Sequence, residues 1–143
     1  MNRKRISDNI DAKDWACKCK YKCGQNIVKN DLVEMYESFL HYLREYFESD
    51  EIKLVIHCAN RCKRHNDDLV NAGTGASPNS PHITGTAVDV HAEGITPKQL
   101  MDAATKCHTK DGILWGGLGY YPGWRNKGIH FDIGRFRSWG TPL

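Results

Sequence analysis

The chain has 143 residues, with 20 Lys and Arg against 17 Asp and Glu and a formal net charge of +3. This length predicts one domain over residues 1–143, large enough to bury a core without metal or disulfide staples. The excess of positive charge is mild, and the sequence lacks the clustered basic residues typical of a nucleic-acid-binding protein. No apolar run reaches the roughly 20 residues needed to span a membrane.

The N-terminal region carries no recognisable export signal. Residues 6–16 alternate apolar with charged side chains and lack the continuous apolar stretch of a secretory signal peptide. We therefore expect synthesis in the cytoplasm, where the six cysteines remain reduced thiols.

Cys17, Cys19 and Cys23 form a C-x-C-x3-C pattern in a Lys-rich segment. This spacing is not one of the common structural zinc patterns. Two interpretations stay open: a second metal site, or small buried thiols in a tight loop. A Cys-rich nucleic-acid binder is a third, and it would show a steep salt dependence.

The first half of the chain predicts a helix, a strand and a long loop. Apolar residues recur every three or four positions over residues 31–48, with Asn30 or Asp31 as the cap, which predicts an amphipathic helix. Residues 53–59 are rich in β-branched side chains and predict a strand. Residues 60–80 are polar and predict a long loop with room for a short helical turn.

The second half predicts three strands and one helix. Residues 84–91 form a strand pattern, and Thr96 followed by Pro97 indicates the start of a helix that buries Leu100 and Ala104. Residues 113–121 and 128–134 predict two further strands joined by a short loop. Such strands pair naturally in antiparallel fashion.

Several catalytic motifs are absent from the sequence. It contains no H-E-x-x-H, no G-x-x-x-x-G-K-[ST], no G-x-G-x-x-G and no G-x-S-x-G. What remains is a set of metal-ligand residues in two segments, His82 and Asp89 in the first and His130 in the second. Two imidazoles and a carboxylate can hold Zn²⁺ and leave a fourth position for water.

Strand alternation supports this choice of ligands. Asp89 lies on the face opposite Val88 and Val90, and His130 shares a face with Asp132, away from the apolar neighbours. Gly85 has no side chain, so the backbone can turn there and bring His82 to the same point.

Longer motifs resemble a known family. S-x-H-x-x-G-x-A-x-D at 80–89, G-G-L-G-Y-Y-P at 116–122, G-I-H-F-D-I-G at 128–134 and R-x-R-S-W at 135–139 resemble the zinc D-alanyl-D-alanine carboxypeptidases and their peptidoglycan endopeptidase relatives, the LAS-type peptidases. W-A-C-K-C at 15–19 and N-R-C-K-R-H-N at 60–66 extend the resemblance over about residues 10–140. It implies a small α+β hedgehog-like domain with an antiparallel sheet flanked by helices.

The resemblance also implies residue roles. His82, Asp89 and His130 would bind zinc, and Arg61 would face a substrate carboxylate, which its guanidinium can hold through two parallel hydrogen bonds.

One position departs from the family pattern. Many relatives carry an acidic general base three residues before the last zinc ligand, where this chain has Lys127. Asp132 is the substitute candidate and Glu93 a weaker one. Asp132 has a second open role, orienting a metal ligand or an arginine.

The implied activity is zinc-dependent hydrolysis of an amide in peptidoglycan stem peptides, as a D-Ala-D-Ala carboxypeptidase or an endopeptidase. The partner is the stem peptide, without nucleic acid or membrane span, and we expect a monomer. The expected setting is a phage or prophage lytic enzyme that reaches the cell wall after lysis or holin release. Lys127 favours an alternative, a zinc-stabilised module that binds the wall without cleaving it.

Four aromatic residues are candidates for the substrate groove, with core or rim packing as the alternative: Trp115, Tyr120, Tyr121 and Trp124.

Overall fold

A computed structural model describes residues 4–124 and 127–140. Residues 1–3 of the basic N-terminus lie outside this range. In chain order the elements are β1 (Arg5–Ser7), β2 (Ile10–Asp11), α1 (Ala12–Trp15), α2 (Asn30–Tyr46), β3 (Lys53–Cys58), α3 (Lys63–Asn71), β4 (Ala87–Glu93), α4 (Pro97–Thr109), β5 (Gly117–Tyr121), β6 (Gly128–Asp132) and β7 (Arg137–Trp139).

Strands β3 to β7 form one five-stranded sheet in the order β3-β4-β6-β5-β7. All pairs in this sheet are antiparallel except β5 with β7, which run parallel. The predicted antiparallel sheet is therefore correct for its first four strands, and the C-terminal strand makes it mixed. Strands β1 and β2 form a separate small hairpin.

The sheet divides the domain into an apolar and a polar side. Val88, Val90, Ile129 and Phe131 are fully buried in the core, as strand alternation predicts. Phe131 packs edge-on against Phe39 of α2, with ring centroids 5.5 Å apart. Burying each such side chain contributes about 1.5–3 kcal/mol to folding. The other face is left for polar residues from β4 and β6.

Two helices close the apolar side. Helix α2 buries the predicted stripe, which includes Leu32, Phe39 and Leu43, but it starts without a side-chain cap, so the predicted capping by Asn30 or Asp31 is wrong. Helix α4 starts as predicted: Thr96 caps it, and Gln99 completes a reciprocal capping box.

The segment predicted as a loop contains a helix of nine residues, α3. Its sequence is almost entirely polar and buries only Asn66 fully, so no apolar period revealed it. The cap is unusual, because the thiol of Cys62 accepts a hydrogen bond from the His65 amide.

Strand limits also differ from the prediction. Residues 84–85 belong to a turn and residue 86 precedes β4, and residues 113–116 precede β5. The hairpin β1–β2, helix α1 and strand β7 were not predicted, because elements of two to four residues are too short for a period to stand out. Among the described residues, no helix has the length and apolar character needed to cross a bilayer.

Candidate metal centre and substrate cleft

The three predicted metal ligands meet on the polar face of the sheet. Asp89 of β4 is the direct cross-strand partner of His130 of β6. His82 reaches them from the turn before β4, in which Gly85 has a φ of +70°. A Cβ at Gly85 would lie 2.6 Å from the Ile27 carbonyl oxygen, so the turn requires glycine.

Asp89 joins the two histidines. Its Oδ2 lies 3.0 Å from His82 Nε2, and its Oδ1 lies 2.9 Å from His130 Nδ1. All three residues are buried. The sheet core beneath them holds this arrangement in place.

The remaining nitrogens of both rings also face acceptors. His82 Nδ1 lies 2.8 Å from the Ala59 carbonyl oxygen, and His130 Nε2 lies 2.7 Å from Asp132 Oδ2. A neutral imidazole has only one N–H, so each ring must turn one lone pair toward an oxygen that is itself an acceptor. The Ala59 contact places the His82 lone pair at Asp89.

This acceptor-rich arrangement needs added positive charge, either from protons or from a cation. Asp89 and Asp132 contribute two negative charges, and within the described chain Arg137 is the one permanent cation that contacts them. The donor set of two imidazoles and a carboxylate suits Zn²⁺, and the Ala59 and Asp132 contacts orient the rings as backing groups do in zinc sites. The residues present therefore fit a zinc ion.

The pKa shifts of His82 and Asp89 arise from the same close contacts between imidazoles and acceptors. Burial alone would lower the pKa of His82, but the Asp89 carboxylate and the Cys58 thiol raise it to about 10. Burial alone would raise the pKa of Asp89, but its hydrogen bonds to His130 and His82 hold it far below the usual range. Both shifts thus indicate that this arrangement favours added positive charge.

Cys58 is a neighbour of this centre that the sequence analysis missed. Its sulfur and ligand atoms of His82 and Asp89 all lie within 4.8 Å of one another. The register of β3 with β4 shifts between Ile56 and Cys58, which pairs Cys58 with Asp89. An irregularity of this kind breaks the two-residue period and leaves no signal in the sequence.

Asp132 is fully buried behind His130 rather than in the cleft. Its oxygens accept hydrogen bonds from both terminal nitrogens of Arg137 and from the amides of Gly117 and Gly134, in addition to the His130 contact. His130 and Arg137 hold its pKa well below the ordinary value against the opposing effect of burial. This geometry favours the second role considered for Asp132, the orientation of His130.

Arg61 lies in the cleft beside the centre. Its terminal nitrogens donate to Asn66 Oδ1 at 2.8 Å and to Cys58 Sγ at 3.4 Å. Its Nε is buried without a hydrogen-bond partner, and within the described part of the chain no carboxylate pairs with it. The guanidinium is thus held in place with capacity for an external anion.

The cleft has a volume of about 880 Å³ and exposes His82, Asp89 and His130 along its floor. One wall is aromatic: Tyr121 and Trp124 stack at 3.9 Å, and Trp139 Nε1 donates to the Tyr121 hydroxyl at 2.8 Å.

Trp139 lies flat on β5, where a Cβ at Gly119 would come within 2.4 Å of its ring. Of the four candidate aromatics, Tyr121 and Trp124 line the cleft, whereas Tyr120 is buried in the core and Trp115 is exposed outside it.

The other two acid–base positions considered lie elsewhere. Glu93 is exposed at the end of β4, four residues beyond Asp89, and Lys127 is exposed before β6. Neither lines the cleft.

His57 of β3 does line it, and its ring stacks on His91 with Nε2 2.5 Å from Nδ1. Burial and the neighbouring His91 lower the pKa of His57.

The known proteins to which this chain is similar are endopeptidases. The family model described as peptidoglycan L,D-endopeptidase MepK matches residues 22–139. Curated proteins of that name from Escherichia coli K12 and Shigella flexneri are 35% identical over 74 residues, which are 52% of this chain and 36% of theirs. The chain thus spans about a third of the length of these relatives.

A solved structure has the same fold. The crystal structure of Serratia marcescens L-Ala D-Glu endopeptidase ChiX superimposes with a TM-score of 0.50 at 22% identity, covering 74% of this chain and 80% of that one. This likeness confirms the predicted α+β, hedgehog-like fold.

Proposed function

This chain belongs to the peptidoglycan L,D-endopeptidase MepK family, and from that membership we propose that it is a zinc-dependent peptidase acting on peptidoglycan stem peptides. The observation that carries the proposal is the pair of buried imidazoles that face one carboxylate, Asp89, on the floor of an open cleft. Such a donor set fits zinc and leaves a position for water or substrate.

His82, Asp89 and His130 would hold the ion. A bound zinc ion supplies polarisation of the scissile carbonyl and a lowered pKa for its water. The protein's own contribution is orientation: Ala59 fixes the ring of His82, and Asp132 fixes the ring of His130.

Arg61 binds the substrate in this proposal. A stem peptide offers carboxylates, and the guanidinium beside the centre has no carboxylate partner among the described residues. Asn66 and Cys58 hold Arg61 from behind, so binding costs little side-chain ordering. The aromatic wall of Tyr121, Trp124 and Trp139 would pack against the apolar parts of the peptide.

Proton transfer is assigned to His57. Among the described residues lining the cleft, it is the one imidazole outside the proposed ligands. Its lowered pKa keeps the ring neutral at pH 7, as a general base requires. Asp132 is assigned to positioning, because its oxygens are already engaged by five contacts.

We favour endopeptidase over carboxypeptidase action on the description of the family, which names an L,D-endopeptidase. The cleft is lined by Thr74, Gly75 and Trp124 in addition to the proposed ligands, and its volume of about 880 Å³ leaves room for a peptide that continues beyond the scissile bond. The phage or prophage setting, the cytoplasmic synthesis and the monomeric state stay predictions.

The test is digestion of purified peptidoglycan with mass spectrometry of the products, with and without a chelator. Zinc-dependent release of fragments cut at an amide between an L- and a D-centre is expected, and free D-alanine alone would indicate a carboxypeptidase instead. His130→Ala serves as the inactive variant, and Lys98→Ala, on the exposed face of α4, as the matched surface control. Retained zinc and peptidoglycan binding without any product would contradict the proposal in favour of the binding module.

A further inference from the structure

A second cluster of metal-ligating side chains lies outside the cleft. Cys62, at the start of α3, joins the three cysteines of the C-x-C-x3-C segment. The sulfurs of Cys17, Cys19, Cys23 and Cys62 all lie within 4.8 Å of one another, and all four are free thiols. The fourth cysteine is 39 positions beyond Cys23, which is why the local spacing matched no common zinc pattern.

We propose that Cys17, Cys19, Cys23 and Cys62 form a structural zinc site that is separate from the cleft. Four thiolates at about 2.3 Å from a tetrahedral zinc ion have sulfurs roughly 3.8 Å apart, which agrees with the observed cluster. A complete set of four sulfurs leaves no open position for substrate, so the site is structural rather than catalytic.

The hydrogen bonds around the cluster suit thiolates. Each sulfur accepts one backbone N–H: Cys17 from Cys62 at 3.2 Å, Cys19 from Cys23 at 3.5 Å, Cys23 from Gln25 at 3.4 Å and Cys62 from His65 at 3.4 Å. A neutral thiol is a weak acceptor, whereas a charged sulfur makes a stronger, charge-assisted bond. Four amides directed at four sulfurs are therefore better explained by four metal-bound thiolates than by four neutral thiols.

The backbone of residues 17–25 folds back on itself and brings three of the cysteines together. The segment closes on itself through the Cys17 amide and the Gln25 carbonyl, 2.9 Å apart, and turns at Lys22 and Gly24, both with positive φ. The N-terminus of α3 directs its positive end at Cys62.

The segment also carries Lys18, Lys20 and Lys22, while Lys63 and Arg64 begin α3. These cations are near the cysteines along the chain, and their charge is opposite in sign to the net −2 of a zinc ion with four thiolates.

The cluster is linked to the substrate cleft through Asn60. Its amide accepts from Gln25 Nε2 and the Ile27 N–H, and donates to the His82 carbonyl. Arg61 follows directly, and its own N–H donates to the same carbonyl. Zinc at the four cysteines would thus fix the N-terminal segment to the loop that carries Arg61.

Elemental analysis of the purified full chain tests the proposal. We expect two zinc equivalents in the wild type, one in Cys19→Ser and Cys62→Ser, and two in the control Cys107→Ala, whose thiol is buried in α4 away from the cluster. His82→Ala should retain the cluster zinc. If the cleft does not hold zinc, the wild type has one equivalent that His82→Ala keeps, so failure of the proposed function is distinguishable.

Two measurements on the wild type cover the case that cysteine variants do not fold. Cobalt substitution should give an intense thiolate-to-cobalt charge-transfer absorption. Cys23 is exposed, yet it should resist alkylation until a chelator is added. Cobalt bound without that absorption, rapid alkylation of Cys23 in the zinc-loaded protein, disulfides among these four residues, or iron in place of zinc would overturn the assignment.

Discussion

The cleft centre and the cysteine cluster are two metal-ligand sets built in opposite ways. Asp89 and His130 come from paired central strands whose other faces pack into the core. Three of the four cysteines come from residues 17–23, where the described chain forms neither helix nor strand. The comparison teaches that a folded sheet preorganises the first set, whereas the second set must itself order the chain around it.

Removal of metal by a chelator should produce the largest difference between the two regions, in their protection from hydrogen exchange. We expect the amides of residues 17–25 to approach free exchange when metal is removed, while those of β4 and β6 keep protection that reflects a global stability of about 5–15 kcal/mol. Hydrogen exchange with mass spectrometry measures both segments in one experiment. Equal loss of protection in the two regions would break the comparison.

Removing a ligand from the sheet should abolish activity without disturbing the cysteine cluster. In Asp89→Ala, the two imidazoles lose their shared carboxylate, so turnover should fall to background and zinc should drop by one equivalent. Product release and elemental analysis report these separately. Full hydrolysis by a variant without cleft metal would exclude zinc catalysis.

The assignment of proton transfer to His57 predicts the next largest effect. His57→Gln should lower kcat by about 10²–10⁴, the usual contribution of a general base, with zinc content unchanged. The pH–rate profile of this variant, measured by steady-state kinetics, should also lack the limb that reports the titration of His57. A variant with unchanged kcat would move the proton acceptor elsewhere.

Asp132→Asn sharpens the claim that buried acceptors preorganise the cleft. The amide can still accept from the Gly117 and Gly134 N–H groups, but it no longer offsets the charge of Arg137. We expect zinc affinity or activity to fall by about 10–100-fold, as for other groups that orient metal ligands. Competition titration with a zinc indicator measures the affinity, and Lys98→Ala is the unaffected control.

The smallest predicted effect, taken over a single pH unit, is a pH dependence of zinc affinity at the cleft. Because the pKa of His82 is raised to about 10 in the metal-free protein, its proton stabilises the fold fully below its ordinary value of 6.5, and this contribution is lost as pH rises through 10. Zinc must displace that proton, so affinity at the cleft should rise about tenfold per pH unit between pH 6.5 and 10. Titration of Cys19→Ser isolates this centre, and a pH-independent affinity would contradict the assignment.

Much of the sheet could be predicted because its strands follow simple alternation. The placement of Val88, Val90, Ile129 and Phe131 in the core follows from the two-residue period, and so does the shared face of Asp89 and His130.

The parts that could not be predicted depend on irregular or distant contacts. Helix α3 has no apolar period, the shifted register of β3 brings Cys58 to Asp89, and Cys62 joins its cluster from a separate segment. No local pattern records such contacts, because they arise from how the chain returns on itself.

The absence of a side chain at Gly119 lets the ring of Trp139 pack directly against β5 at the edge of the cleft. Gly119 lies opposite both Trp139 and His130 in register, and the tryptophan ring is 5.2 Å from the His130 ring. A methyl group added at Gly119 would overlap the indole of Trp139, so that this ring and its hydrogen-bonded neighbour Tyr121 would have to shift. Substitution at this one position could therefore retune which peptide side chains the cleft admits, while every residue proposed for the chemistry stays the same.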